Sequence, residues 1–126
     1  MGGGQKRGFA LVNARSGAVV AERITLANRW WSRLRGLIGR RRLDPGEALV
    51  LTPCSAIHTL GMRFAIDALF LDRDWVIRRA VTSVKPWRIG PVCPGSVYVV
   101  ELPVGTIQRF GLEAGVTLRL VPRSDG

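Results

Sequence analysis

The residues best suited to chemistry lie in the stretch CSAIHTLGMRFAIDALFLD, residues 54–72. It contains the only histidine of the chain, His58, and one of its two cysteines, Cys54. Such a pair supplies two ligands for a metal ion, or a thiol with an imidazole base. A structural zinc site needs four ligands, and the chain has no C-x-x-C motif. We therefore predict no metal and no cofactor, and keep a thiol- or metal-dependent enzyme using Cys54 and His58 as an alternative.

Asp67 interrupts the apolar run RFAIDALFLD, residues 63–72. Alternate residues of this run are apolar on both faces, which predicts a central strand covered on each side. A buried carboxylate is costly unless it is hydrogen-bonded. We therefore expect Asp67 to accept at least two hydrogen bonds, from loop N–H groups or from His58 or Arg63. The residues expected to be almost fully buried are Phe64, Ile66, Phe70 and Leu71.

Other short apolar segments alternate in the same way and are separated by Gly- and Pro-containing turns. They predict strands at residues 8–14, 18–24, 47–53, 63–72, 75–84, 96–103 and 116–121. The first two should form a hairpin, and 75–84 should pair back on 63–72. Helical spacing predicts one amphipathic helix from about Ala27 to Leu37, with Trp30 and Leu34 on the sheet. A short helical turn is expected at 105–112.

Many short strands with one helix indicate a mostly β fold. We predict a single-domain antiparallel β-barrel or sandwich over residues 8–122, with one amphipathic helix and a short helical turn. Residues 1–7 and 123–126 are expected to be flexible tails. At 126 residues, the chain is long enough for one domain with its own core.

The formal net charge of +10 suggests anionic partners. Nucleic-acid binding through Arg40, Arg41 and Arg42, together with the arginines of the predicted helix, is a second alternative, because RGLIGRRR is the only dense basic cluster. Two cysteines do not make a disulfide framework, and no apolar stretch is long enough to span a bilayer. The N-terminal segment lacks the apolar region of a signal peptide. We therefore expect a soluble, cytoplasmic protein.

Several blocks of the sequence occur together in a recognisable order. They are RWWSRLRGLIGRRRL, GEALVLTPC, IHTLGMRFAIDALFLD, VKPWRIGP and VYVVELPVGTIQRFGLEAG. Over about residues 10–121 the chain resembles the domain-of-unknown-function family 192. The resemblance implies a compact β-rich barrel or sandwich with one helix, and it brings no established reaction. The positions that match are His58, Thr59, Gly61, Met62, Arg63, Asp67, Asp72 and Glu101.

Two features of that family bear on function. Many relatives resemble secreted or lipid-attached proteins, whereas this chain begins almost directly at its first predicted strand, so an exported role is not expected. In other members a Lys-Asn-like pair replaces the His-Thr pair, which argues against His58 as an obligatory catalyst.

Together these observations favour an uncharacterised small binding domain for an anionic ligand over an enzyme. Arg63 and Arg88 are suitable donors to a carboxylate or phosphate, and Trp87 offers a stacking face. The predicted cleft comprises Cys54, His58, Thr59, Arg63, Asp67, Trp87, Arg88 and Glu101.

Overall fold

The computed structural model describes residues 8–27 and 42–123. These residues form ten strands and one short helix, α1, at Thr106–Phe110. The strands are β1 Phe9–Asn13, β2 Val19–Ala21, β3 Arg23–Ala27, β4 Glu47–Leu51, β5 Ala56–His58, β6 Ile66–Leu71, β7 Ile77–Val84, β8 Ile89–Val92, β9 Tyr98–Pro103 and β10 Leu118–Pro122. The prediction of a mostly β chain is therefore confirmed.

The described strands form three sheets. A five-stranded sheet has the order β3-β4-β9-β6-β7, a three-stranded sheet has the order β10-β1-β2, and β5 pairs with β8. Among these strand pairs only β3 and β4 are parallel. Parallel neighbours require a crossover connection, which here includes residues 28–41. Ala27 ends β3 rather than starting a helix, and the rest of the predicted helix, with Trp30 and Leu34, lies outside the described residues.

The two faces of the five-stranded sheet carry separate apolar clusters. Cluster 1 joins Leu69 and Leu71 of β6 to Leu11 and Leu118 of the three-stranded sheet. Cluster 2, on the opposite face, joins residues of β6 to the segment around β5. Its members include Ile57, Met62, Ile66, Ala68 and Phe70. Of the two predicted architectures, the structure therefore has the sandwich-like one, in a single domain.

Strand β6 is the interior strand that the apolar run predicts. All six of its residues are buried, and it pairs with β7 on one side and β9 on the other. It begins at Ile66 rather than at Arg63. Phe64 therefore precedes the strand and is only partly buried against cluster 2. Full burial was the wrong prediction for Phe64, because the chain reaches the sheet only after it.

The described structure also contains two strands that the sequence pattern does not predict, β5 and β8. In addition, the predicted strand 18–24 divides after Ala21, so that β2 pairs with β1 while β3 joins the five-stranded sheet. The predicted helical turn at 105–112 is confirmed by α1. Within the described part of the chain, no helix has the length and apolar character needed to cross a membrane.

Candidate functional site

Strands β5 and β8 form a small antiparallel ribbon on the surface of the sandwich. Ala56 lies opposite Val92, and His58 lies opposite Ile89. Ile57, between Ala56 and His58, is buried in cluster 2 and attaches the ribbon to the core. Because side chains alternate along a strand, the residues on either side of Ile57 point away from cluster 2. The ribbon therefore has one face in the core and one face towards solvent.

Thr59 fixes the turn that leads into β8. Its side chain is fully buried, donates to the Lys85 carbonyl at 2.5 Å and accepts the Arg88 N–H at 2.9 Å. Its backbone N–H donates to the Arg88 carbonyl, and its carbonyl accepts the Trp87 N–H. Four hydrogen bonds from one residue thus hold residues 85–88 in place.

Trp87 lies within that turn in an unfavourable backbone conformation. Its φ is 62°, a left-handed value that is rare for a large side chain and costs of order 1–3 kcal/mol. The indole is nevertheless 66% exposed, so burial of the ring does not offset this cost. The bonds to Thr59 maintain the conformation, and backbone strain of this kind is concentrated at functional sites.

The exposed side of the ribbon combines apolar groups with positive charge. The exposed apolar residues are Leu60, Trp87, Ile89 and Val92, with Ile89 at 84% exposure. Exposed cations accompany them in the same segments, and the Arg79 guanidinium donates to the Val92 carbonyl at 2.8 Å. A groove of about 440 Å³ between the end of β7 and β8 is lined by Lys85, Arg88 and Ile89, among others. We call the surface formed by these exposed apolar residues and this groove, with Lys85 and Arg88, the β8 face.

The segments that build the β8 face contain no acidic residue. Residues 48–66 and 75–100 lack Asp and Glu entirely. The same segments carry five cations, Arg63, Arg78, Arg79, Lys85 and Arg88. A surface with charge of one sign attracts oppositely charged ligands, and salt screens that attraction. This absence of acids was visible in the sequence and would have pointed to Lys85 as well as to Arg88.

Cys54 and His58 form hydrogen bonds with nearby backbone groups. The Cys54 thiol is buried and donates to the Ala56 carbonyl at 2.9 Å. His58 accepts the Leu60 N–H at its Nδ1 atom, at 3.3 Å. A neutral imidazole that accepts at Nδ1 carries its proton on Nε2. These bonds order the chain around β5, and they give no support to a thiolate–imidazole pair.

Asp67 accepts the hydrogen bonds expected of it. The carboxylate is fully buried and accepts three backbone N–H groups, from Ser83 at 2.9 Å and from Gly105 and Ile107 at 3.0 Å. Strand β7 has an extra residue between Val81 and Val84, and Ser83 there has a φ of 52°. A bulge frees backbone groups from the ladder, and Asp67 satisfies one of them.

Glu101 and Asp67 lie on opposite faces of the five-stranded sheet. Glu101 lies between Leu49 and Ala68 in register, and both neighbours belong to cluster 2. Asp67 alternates with Ala68 along β6 and bonds to Ile107, a member of cluster 1. The two buried carboxylates therefore do not share a cavity.

The predicted cleft is thus divided in the structure. His58, Thr59, Trp87 and Arg88 come together at the β5–β8 ribbon, with the buried Cys54 just before β5. Arg63 is exposed on the segment that leads to β6. Asp67 and Glu101 lie inside the sandwich rather than on the β8 face. Among the described residues, no group of three His, Cys, Asp or Glu side chains is arranged to hold a metal ion.

Two solved structures share this fold. A protein from Sinorhizobium meliloti 1021, described as a "putative transcription regulator", has a TM-score of 0.75 and 24% identity, covering 90% of this chain and 92% of its own. A protein of unknown function from Novosphingobium aromaticivorans has a TM-score of 0.75 and 18% identity, covering 89% of this chain and 83% of its own. At these identities the similarity shows the fold alone.

Sequence comparison gives the family. A UPF0127 protein from Thermococcus sibiricus is 30% identical over 112 residues, which cover 83% of this chain and 70% of that protein. The UPF0127 protein PF1050 of Pyrococcus furiosus is 29% identical over 111 residues, covering 83% of this chain and 92% of that protein. The DUF192 family model, described as an uncharacterised ACR, matches residues 11–120. The chain therefore belongs to the DUF192 family of uncharacterised conserved proteins.

Proposed function

We propose that this protein binds a multiply charged organic anion at the β8 face, an organic phosphate being the simplest example. The observation that supports this most strongly is Trp87. Its ring is exposed on a left-handed residue, in a turn whose residues 85–88 make four hydrogen bonds with Thr59. The surrounding segments carry cations and no acids. This backbone conformation costs free energy and leaves the indole exposed to solvent. Ligand binding at the indole accounts for why the strained conformation is kept.

The chemistry of the face selects the ligand class. Arg88 offers a planar guanidinium that bonds two phosphate oxygens at once, and Lys85 adds a second charge in the same groove. Trp87 provides a surface on which a flat ring stacks. A ligand with a phosphate group and an attached ring uses all three features. A small inorganic anion uses only the charges.

The test is a binding titration with phenyl phosphate, inorganic phosphate and the uncharged benzyl alcohol, at low and at moderate salt. We expect phenyl phosphate to bind more tightly than either of the other two, and less tightly as salt rises. The double variant Lys85→Gln/Arg88→Gln should lose at least tenfold in affinity. The control Arg15→Gln/Arg119→Gln removes the same charge from the turn between β1 and β2 and from β10, and should bind like wild type. An equal loss of phenyl phosphate affinity in both double variants would mean that binding depends only on the net charge of the protein, and would contradict the proposal.

A single-stranded DNA oligonucleotide should be titrated in the same experiment. The protein from Sinorhizobium meliloti carries the words "putative transcription regulator" in its description, and an oligonucleotide also combines phosphates with flat rings. Of the predicted nucleic-acid contacts, Arg40 and Arg41 lie outside the described residues, and the exposed Arg42 pairs with Asp44 at 2.7 Å. Binding of single-stranded DNA that is abolished by Trp87→Ala would extend the proposed ligand class to a polymer.

We also propose that the protein works in a reducing compartment, the cytoplasm. Neither Cys54 nor Cys93 is joined in a disulfide bond in the structure, and unbridged cysteines are usual for proteins of such compartments. Alkylation of intact cells followed by mass spectrometry should find both thiols reduced. A disulfide through either cysteine in the protein from intact cells would contradict this assignment.

A further inference from the structure

A second cleft of about 440 Å³ lies elsewhere on the molecule, between three separate segments. One wall is the bend from β2 to β3, the second is the Pro45–Gly46 turn, and the third is the connection from β9 into α1. None of its lining residues belongs to the β8 face. We call it the Arg109 cleft. Its volume is within the range of small-molecule sites in proteins.

Hydrogen bonds hold the first two walls together. The Gly46 carbonyl accepts the N–H groups of both Glu22 and Arg23, each at 2.9 Å. The Arg23 guanidinium also donates to the Pro45 carbonyl at 2.8 Å. The turn and the bend are therefore fixed relative to each other without a ligand.

Hydrogen bonds to the buried Asp67 and within the connection itself hold the third wall in place. Asp67 accepts the N–H groups of Gly105 and Ile107, and the Thr106 hydroxyl donates to the Pro103 carbonyl at 2.7 Å. Gly105 has a φ of 98°, a value that side-chain-bearing residues rarely adopt, so glycine suits this turn. A cleft with preformed walls binds a ligand without the cost of ordering them.

The lining offers one available cation beside apolar surface. Val19 and Val104 are 50% and 51% exposed, and the Arg109 guanidinium lies 5.1 Å from the centre of the Phe110 ring. Within residues 8–27 and 42–123, Arg109 has no carboxylate partner. Glu22, the only acidic residue among the described lining residues, lies 3.8 Å from Arg23.

From these features we propose that the Arg109 cleft binds a small monocarboxylate with a branched or aromatic apolar body. The guanidinium receives the carboxylate in its two-pronged geometry, and the two valines and Phe110 cover the apolar part. A dianion is disfavoured, because the described lining has a single cation, Arg109, and carries the Glu22 carboxylate on its wall. This selectivity is the opposite of that proposed for the β8 face, where Lys85 and Arg88 act together.

An NMR titration of the ¹⁵N-labelled full chain tests this site, with phenylacetate as the probe. Phenylacetamide is the uncharged control, and phenyl phosphate is the dianionic one. We expect phenylacetate to shift the amides of residues 19–22 and 104–110 at millimolar concentration. Phenylacetamide should bind at least tenfold more weakly. Unchanged amides in these segments at tens of millimolar phenylacetate, or equal binding of the amide, would overturn the proposal.

Two variants identify the groups responsible. Arg109→Gln should weaken phenylacetate binding at least tenfold, whereas Arg119→Gln, an exposed arginine of β10, should leave it unchanged. Val104→Asp, at an exposed position, should abolish binding by repelling the carboxylate. The double variant Lys85→Gln/Arg88→Gln should bind phenylacetate like wild type, which separates this site from the β8 face. Unchanged binding by both Arg109→Gln and Val104→Asp would place the probe elsewhere and refute the assignment.

Discussion

Strands β6 and β8 are nearly opposite in character although both contribute to the same domain. All six residues of β6 are buried, and the strand has paired neighbours on both sides. None of the four residues of β8 is buried, and its described partner is the three-residue strand β5. In β6, side chains contribute by removing apolar surface from water, and in β8 they are available to a ligand. The contrast separates residues that stabilise the fold from residues that we expect to recognise a partner.

Their polar groups differ in the same way. Asp67 of β6 is buried, and three backbone N–H groups satisfy its two oxygens. Arg88, just before β8, is exposed, and its backbone rather than its guanidinium is bonded to Thr59. A buried charge needs such partners to be tolerated, whereas an exposed charge remains able to bind a ligand.

The largest effect is expected for Phe70→Ala in β6. Phe70 is fully buried in cluster 2, and removing a large buried aromatic ring costs about 3–5 kcal/mol. The matched change on the β8 face is Trp87→Ala, which should alter stability by less than about 0.5 kcal/mol because the ring is exposed. Urea unfolding of both variants measures the difference. Similar losses of stability in the two variants would contradict the distinction between β6 and the β8 face.

Asp67→Asn is expected to cost about 1–3 kcal/mol, the range for a mispaired buried group. Both oxygens accept bonds from N–H groups, so either orientation of the amide directs its own N–H groups at a donor. Asp72→Asn is the control, since Asp74 and Val76 both donate to the same Asp72 oxygen and an amide keeps that acceptor. Denaturant unfolding at neutral pH should show the larger loss for Asp67→Asn. An equal loss of stability in the two variants would mean that the hydrogen bonds to the second Asp67 oxygen contribute little.

Thr59→Val is expected to cost about 1 kcal/mol and to act locally. The change removes the donor to the Lys85 carbonyl and the acceptor of the Arg88 N–H while keeping a branched side chain. Amide hydrogen exchange should therefore become faster at Arg88. Thr106→Val is the control, because it also removes a hydroxyl bond but contacts Pro103 instead. Unchanged exchange at Arg88 would show that Thr59 does not fix the Trp87 turn.

The smallest effect on stability is expected for Ile89→Ser. Ile89 is exposed, so the change should be within about 0.5 kcal/mol of wild type, as for surface substitutions in general. Its effect should instead be on phenyl phosphate affinity, which we expect to fall several-fold as apolar surface beside the groove is lost. Val92→Ser, at the other end of β8, should weaken binding less. A marked loss of stability in Ile89→Ser would mean that another part of the chain covers this residue.

The same contrast explains how much of the fold the sequence can predict. Strand β6 was predictable because its apolar residues fill both faces. The helical turn was predicted at residues 105–112, directly after the strand predicted at 96–103, and α1 lies within that range. The strands β5 and β8 are three and four residues long and contain His58, Gly90 and Pro91, so they have no hydrophobic period to detect. Pairing between them, rather than local preference, makes them strands.

The juxtaposition of residues at the proposed β8 face was predictable in part for related reasons. His58, Thr59, Trp87 and Arg88 are near one another because β5 pairs with β8, and their residue types already suggested binding. The separation of Asp67 from Glu101 depends on the register of β6 with β9, which residue types do not encode. The bulge at Ser83 gives no sequence signal either, since a serine there adopts a conformation more usual for glycine.

The most direct test of a recognition role for the β8 face is an amide chemical-shift map of the wild-type chain titrated with phenyl phosphate. We predict that the largest shifts will fall at residues 58–60 and 85–89, while the amides of β6 and of the three-stranded sheet stay unchanged. The Trp87 indole N–H should move with the same affinity as these amides. Shifts centred outside residues 58–60 and 85–89, or no saturable shifts at millimolar ligand, would contradict the account.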